Sequence, residues 1–139
     1  MKIFLDANIL ISVLNNEYPN FTYSSRVLSL TENRKFIVFT SPICLAIAFY
    51  FSEKKSGNKV AKQKIGLLTK HLNISEAIKA DVLNAIENKQ VNDFEDGLEY
   101  YSALRAKCQC IVTEDVGDFY FSKIEVLNSR DFLVKYVMK

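Results

Sequence analysis

The sequence is poor in glycine and proline, with 4 and 2 among 139 residues. Disordered chains are usually rich in these two residues and low in apolar ones, so long disordered stretches are not expected. This chain is 49% apolar, enough at its length for a continuous core, so residues 1–139 read as one domain. No apolar run approaches the ~18 residues that would mark a membrane span. Lys2 and Asp6 interrupt the start of the chain, which makes it a poor secretory signal, and a cytoplasmic protein is expected. A net charge of +2 names no class of partner. Cysteine is scarce too. Cys44, Cys108 and Cys110 are odd in number and lack framework spacing, so free, packed thiols are expected. The pair in "CQC" resembles half a zinc site, but only Cys44 and His71 remain as soft partners, and zinc is not expected. The sequons "NFT" at 20–22 and "NIS" at 73–75 read as chance without a secretory signal.

What is present alternates between short apolar runs and longer amphipathic ones. Lys2 to Leu5 reads as a buried strand, Asn8 to Asn16 as a helix, and Thr22 to Asn33 as a second helix. "KFIVFT" is a second strand. Ser41 ahead of Pro42 is a helix start, a cap followed by proline in the first turn. "SEKKSGNK" reads as a turn between this helix and the next, "KVAKQKIGLLTKH". "LNI" is a brief strand, and Ser75 is a candidate cap for "SEAIKADVLNAIENK". "DFEDGLEYYSALRAKC" is a helix with an acidic start. "QCIVT" and "KIEVLN" are strands around the turn "EDVGDF", and Ser129 is a candidate cap for a last helix. This alternation predicts an α/β fold with a parallel sheet of four or five strands, covered on both faces.

The acids fall at one edge of such a sheet. Asp6 follows the first strand, and Asp115 and Asp118 follow "CIVT". Asp93 and Asp96 open the helix before that strand, near the same edge. Ligands of parallel sheets bind where the strands end. Crowded carboxylates cannot all stay charged without a counter-ion, and Mg²⁺ or Mn²⁺ is matched to oxygen ligands. A cation held there can activate water and polarise a phosphodiester. Each acid also has an ordinary use. Asp6 and Asp93 can cap helices, Asp96 suits a helix N-terminus, and Asp115 and Asp118 can build a turn. Their meeting at one edge favours the metal site.

"FLDANIL", "DFEDGLEYYSAL" and "IVTEDVGDF" resemble the three acidic motifs of PIN domains, above all of VapC-type toxins of prokaryotic toxin–antitoxin pairs. The resemblance runs along nearly the whole chain. It implies a Rossmann-like three-layer α/β/α sandwich and a ribonuclease dependent on Mg²⁺ or Mn²⁺. It matches Asp6, Asp96 and Asp115 to the catalytic, metal-binding acids and Asp118 to a further metal-site acid. Asn8, Asp93 and Thr113 would support them. It also implies a homodimer and a small antitoxin partner.

One motif departs from the family. A glutamate is usual on the helix after the second strand, and the matching place here is near Ile47. No acid stands between Ser41 and Phe51. Glu53 lies six residues past Ile47, roughly 240° around a helix, and should point elsewhere. The loss leaves two functions open: a metal-dependent endoribonuclease, or a weak or inactive relative that binds RNA or protein. Lys54, Lys55, Lys59 and Lys62 lie in an acid-free stretch that could hold RNA phosphates or simply face solvent. The apolar "AIAFYF" exceeds what one core face needs and could meet a second copy or an antitoxin helix.

Overall fold

The computed structural model describes residues 1–138. Five parallel strands form one sheet: β1 (Lys2–Leu5), β2 (Ile37–Thr40), β3 (Asn73–Ile74), β4 (Cys110–Val112) and β5 (Glu125–Leu127). Their order across the sheet is β3-β2-β1-β4-β5. The central strand β1 pairs Phe4 with Phe39 on one side and with Ile111 on the other. Ile3, Phe4, Leu5, Ile111 and Val112 are fully buried, as strands covered on both faces require. Edge strand β3 is two residues long, which limits the unpaired backbone it presents.

Among the described residues, seven α-helices complete the α/β/α arrangement: α1 (Ala7–Leu14), α2 (Phe21–Leu28), α3 (Pro42–Ser56), α4 (Asn58–His71), α5 (Lys79–Glu87), α6 (Phe94–Arg105) and α7 (Ser129–Tyr136). Strand order reverses about β1, the first strand, so the neighbouring ends of β1 and β4 flank the crevice where ligands meet such sheets.

Several helix boundaries differ from the sequence reading, each for a local reason. The stretch 22–33 is not one helix. It tightens into a 3-10 turn at Ser29–Glu32, where the Ser29 hydroxyl donates to Arg26 O at 2.6 Å. "SEKKSGNK" is mostly helical, because Gly57 at φ +85° separates α3 from α4 by itself. Ser75 does not cap α5. It bonds Thr40 O and the Ser102 hydroxyl, and α5 begins later, where the Asp81 carboxylate accepts from Ile78 N at 2.9 Å. Asn128, rather than Ser129, caps α7, accepting from Asp131 N at 2.7 Å.

Helix α6 is held at both ends by α5. A Cβ on Gly97 would lie 2.7 Å from Val91 Cγ1 and 3.1 Å from Ala85 Cβ, so glycine lets the start of α6 close on α5. Arg105 at the other end grips Asp81 of α5 through two N–H groups, at 2.7 and 3.2 Å. This seating leaves the acidic first turn of α6 at the strand-end edge.

Candidate active site

The N-cap of α1 is Asp6, whose Oδ1 accepts from Ala7 N at 2.6 Å. The capping expectation is therefore met, but it occupies only one carboxylate oxygen. The other, Oδ2, accepts from the Thr113 hydroxyl at 2.7 Å. Thr113 Oγ1 in turn accepts from Asp115 N at 3.1 Å, and Asn8 Nδ2 stands 3.0 Å from the same oxygen. Asn8 also donates to Asp115 Oδ2 at 3.2 Å and accepts from Glu114 N at 3.2 Å. These bonds cross-link the ends of β1 and β4 and hold two acids in fixed orientation. Glu114 faces away, taking N–H and O–H of Ser129.

Asp93 caps α6, with Oδ1 accepting from Glu95 N and Asp96 N. That turn brings Asp93, Glu95 and Asp96 to the cavity that Asp115 and Asp118 also line. Asp6, Asp93, Asp96, Asp115 and Asp118 line one open cavity of about 320 Å³, with Asn8, Ile11, Ile47, Phe51 and Glu95. No lysine or arginine lines it. Every acid singled out in the sequence thus reaches the same cavity. Ile47 is on its wall, so the position matched to the missing glutamate does face the site. Glu53 instead accepts from the Asn58 amide at 2.8 Å.

The expected lysines divide. Lys55 donates to Asn15 O and lines a polar cleft that shares Asn8 and Asp115 with the acidic cavity. Lys54 lies over the Tyr50 ring, 4.5 Å from its centroid. Lys59 and Lys62 are exposed on α4. Of "AIAFYF", Ala48 is core, while Tyr50 and Phe51 are exposed beside the site.

Two residues near the acids were not singled out in the sequence for this role. Glu99, one turn after Asp96, is 1% exposed, and its Oε1 accepts from the Cys44 thiol at 2.9 Å. One oxygen each from Asp6 and Glu99, and Cys44 Sγ, lie within 4.8 Å of one another. Asp6, Asp96 and Asp115 do not close to that distance as a trio. The i, i+3 spacing of Asp96 and Glu99 was the available signal, because it puts both on one face of α6. Cys108 and Cys110 are buried free thiols, as expected.

Crowding raises the affinity of these acids for protons. Asp96 is pushed up to about 7, first by burial and then by Asp93, Asp6, Asp118 and Glu95. Glu99 is pushed up to about 10 by burial and by Asp6. Burial also raises Asp6, against the Glu99, Thr113 and Ala7 hydrogen bonds that hold it down. The folded, cation-free chain therefore binds protons that the unfolded chain releases. The stability from these groups is full below their ordinary range near 4 and is lost as pH rises through about 7. In chelator, the melting temperature should be several degrees higher at pH 5.5 than at 8.5. A melting temperature that climbs with pH over that interval would contradict this charge arrangement.

A family model described as PIN domain matches residues 2–117. The chain is 29% identical over 142 residues to Ribonuclease VapC1 of Aquifex aeolicus, covering 97% of this chain and 95% of that one. Its fold is similar to that of VapBC-1 from nontypeable Haemophilus influenzae, with a TM-score of 0.71 at 20% identity over 94% of this chain and 99% of that chain. It is also similar to Mycobacterium tuberculosis VapC20, a toxin that cleaves the sarcin-ricin loop, with a TM-score of 0.62 at 14% identity over 78% and 86%. Among the described residues, no helix is long and apolar enough to cross a membrane.

Proposed function

The chain belongs to the PIN domain family, and from that premise we propose that it is a divalent-cation-dependent endoribonuclease acting as the toxin of a toxin–antitoxin pair. The observation that carries this reading is the cavity lined by five aspartates and no basic side chain. An all-oxygen donor set of this kind fits Mg²⁺ or Mn²⁺ and not a soft metal. Asp6, Asp96 and Asp115 would hold the ion, with Asp118 beside them. When bound, the ion supplies charge stabilisation for a phosphodiester and a means of activating water.

The chain's own residues do the positioning. Thr113 fixes the Asp6 carboxylate and Asn8 that of Asp115, each by a hydrogen bond. Asp93 fixes the first turn of α6 and thereby Asp96. The adjoining polar cleft offers an approach for RNA. It is lined by Asn15, Asn16, Tyr18, Asn20 and Lys55 and meets the acids at Asn8 and Asp115. Its amides can bond phosphate and base edges, and Tyr18, 69% exposed, can stack on an unpaired base.

RNA as substrate and a toxin's role are supported by the names of the relatives, Ribonuclease VapC1 and the sarcin-ricin loop cleaving toxin VapC20. A second copy or an antitoxin helix would find Tyr50 and Phe51 exposed on α3.

A second reading is favoured by Ile47. An apolar residue stands on the cavity wall at the place where the family resemblance puts a glutamate, as a weak or inactive RNA- or protein-binding domain would allow. Cleavage of single-stranded RNA with Mn²⁺ separates the two. Wild type should cleave, and Asp96→Asn should be slower by on the order of 10²-fold, the loss of about 3 kcal/mol of transition-state stabilisation. Equal rates in the two proteins would assign the cleavage to a contaminant and leave the binding reading.

A further inference from the structure

We propose that Glu99 is the fourth carboxylate of the cation site, supplied from α6 in place of the one absent from α3. The inference rests on the proposed metal site.

The two helices exchange roles at this point. Ile47 of α3 faces the cavity where the missing acid would stand. One turn earlier on the same helix, Cys44 lies against Glu99. Asp96 and Glu99 occupy one face of α6, about 4.5 Å apart along its axis. Asp96 stands at the cavity and Glu99 one turn deeper, beside Asp6. The small Cys44 side chain leaves room for the Glu99 carboxyl against Asp6.

Structural bonding accounts for the Glu99 carboxyl only in its protonated form, when it can share a proton with Asp6. Glu99 is 1% exposed, its Oε1 takes only the weak thiol donor, and its Oε2 meets no donor among the described residues. By contrast Asp81, a buried acid facing the opposite end of α6, is 3% exposed and takes two Arg105 N–H groups and the Ile78 N–H. A carboxyl buried without donors is costly, and here it adjoins a second carboxylate rather than a cation. A shared divalent ion resolves both. Oxygens across an Mg²⁺ or Mn²⁺ ion are about 4.2 Å apart, twice the ~2.1 Å ligand distance. The Asp6 and Glu99 oxygens already lie within 4.8 Å.

The test is Mn²⁺ titration calorimetry on the full chain, with melting curves in chelator and in Mn²⁺. Glu99→Gln keeps the shape and removes the charge. It should weaken Mn²⁺ binding by roughly 10–100-fold, in the range seen when a metal site loses a supporting carboxylate. Its melting temperature in chelator should stay equal to wild type or rise, while the Mn²⁺-induced increase shrinks. Ile47→Glu added to Glu99→Gln should restore much of the affinity, because it puts a carboxylate from α3 into the cavity that Asp6 lines. If Glu99→Gln binds Mn²⁺ as wild type does, the inference is overturned and the aspartate site stands. If wild type itself binds no Mn²⁺, the cation reading beneath it fails first. Should Glu99→Gln not fold by circular dichroism, Glu99→Asp gives the decision: it keeps the charge but withdraws it by a methylene. Weakened Mn²⁺ binding in that variant supports the assignment, and unchanged binding overturns it.

Discussion

Asp6→Asn should abolish Mn²⁺ binding and lower RNA cleavage on the order of 10³-fold or more, while making the cation-free protein harder to melt. The two halves of that result have one cause. Asp6 sits at the end of β1 with 7% exposure, and burial holds its proton affinity above the ordinary range. Asparagine keeps an oxygen for Ala7 N, and it is as good an N-cap as aspartate. Helix α1 should therefore lose nothing. The amide gives up the Thr113 hydroxyl's bond to Oδ2, but it removes one of two apposed carboxylates and brings an N–H donor close to Glu99, whose Oε2 meets none. The gain in stability is the release of like-charge crowding. The loss of activity is the removal of a ligand whose ion contributes several kcal/mol of charge stabilisation. Calorimetry, a cleavage assay and melting curves in chelator read the three effects. If Asp6 serves only as a cap, the variant will match wild type in all of them.

The second large effect belongs to packing. Phe119 closes the 3-10 turn Val116–Phe119, which carries Asp118 and follows Asp115. Its ring is 2% exposed and lies 6.0 Å from Phe121, which meets Tyr100 of α6 edge-on at 5.2 Å. The aromatic cluster ties the Asp115–Asp118 segment to the helix that carries Asp96. Phe119→Ala should cost about 3–5 kcal/mol, the usual range for deleting a buried aromatic ring. Against a total stability of about 5–15 kcal/mol that is a large fraction, and the melting temperature should fall by roughly 10–20 °C. Mn²⁺ affinity should fall with it, because the anchor of Asp115 and Asp118 is gone. Chemical denaturation gives the first quantity and calorimetry below the melting temperature the second. A stability change of only a few tenths of a kcal/mol would mean that the turn is held by its backbone bonds, such as Asp118 N to Asp115 O, and not by the ring.

Together the two variants separate the chemistry of the site from its support. Asp6→Asn removes function and strengthens the fold. Phe119→Ala weakens both. The opposition is the usual one for a site assembled from groups that repel each other until a ligand arrives.

Much of this architecture was legible in the residues. Alternating apolar runs and amphipathic stretches suffice for a parallel α/β sheet, because strands buried on both faces need continuous apolar sequence and their crossovers need helices. The acids could be assigned to one edge because that edge follows from element order: Asp6 ends a strand, Asp115 and Asp118 follow another, and Asp93 and Asp96 start a helix. Asp93 as a cap was equally readable, since a short carboxylate before a helix has one local use. Ser75 and Ser129 carried the same signal and were misleading. A cap depends on which backbone N–H groups are free, and in Ser75 the hydroxyl was taken by Thr40 O and Ser102 across the core.

Tertiary structure alone decided what lies beneath Asp6. The i, i+3 spacing in "DGLEYY" puts Glu99 on the face of Asp96 but does not say that it is buried, and nothing in "SPICLAI" marks Cys44 as its neighbour. They are 55 positions apart. They meet because α3 packs against α6 in the folded chain. Local sequence determines where a carboxylate stands along its own helix or strand. Only the packing of helix on sheet determines which carboxylates share a space, and therefore which must share a proton or a cation.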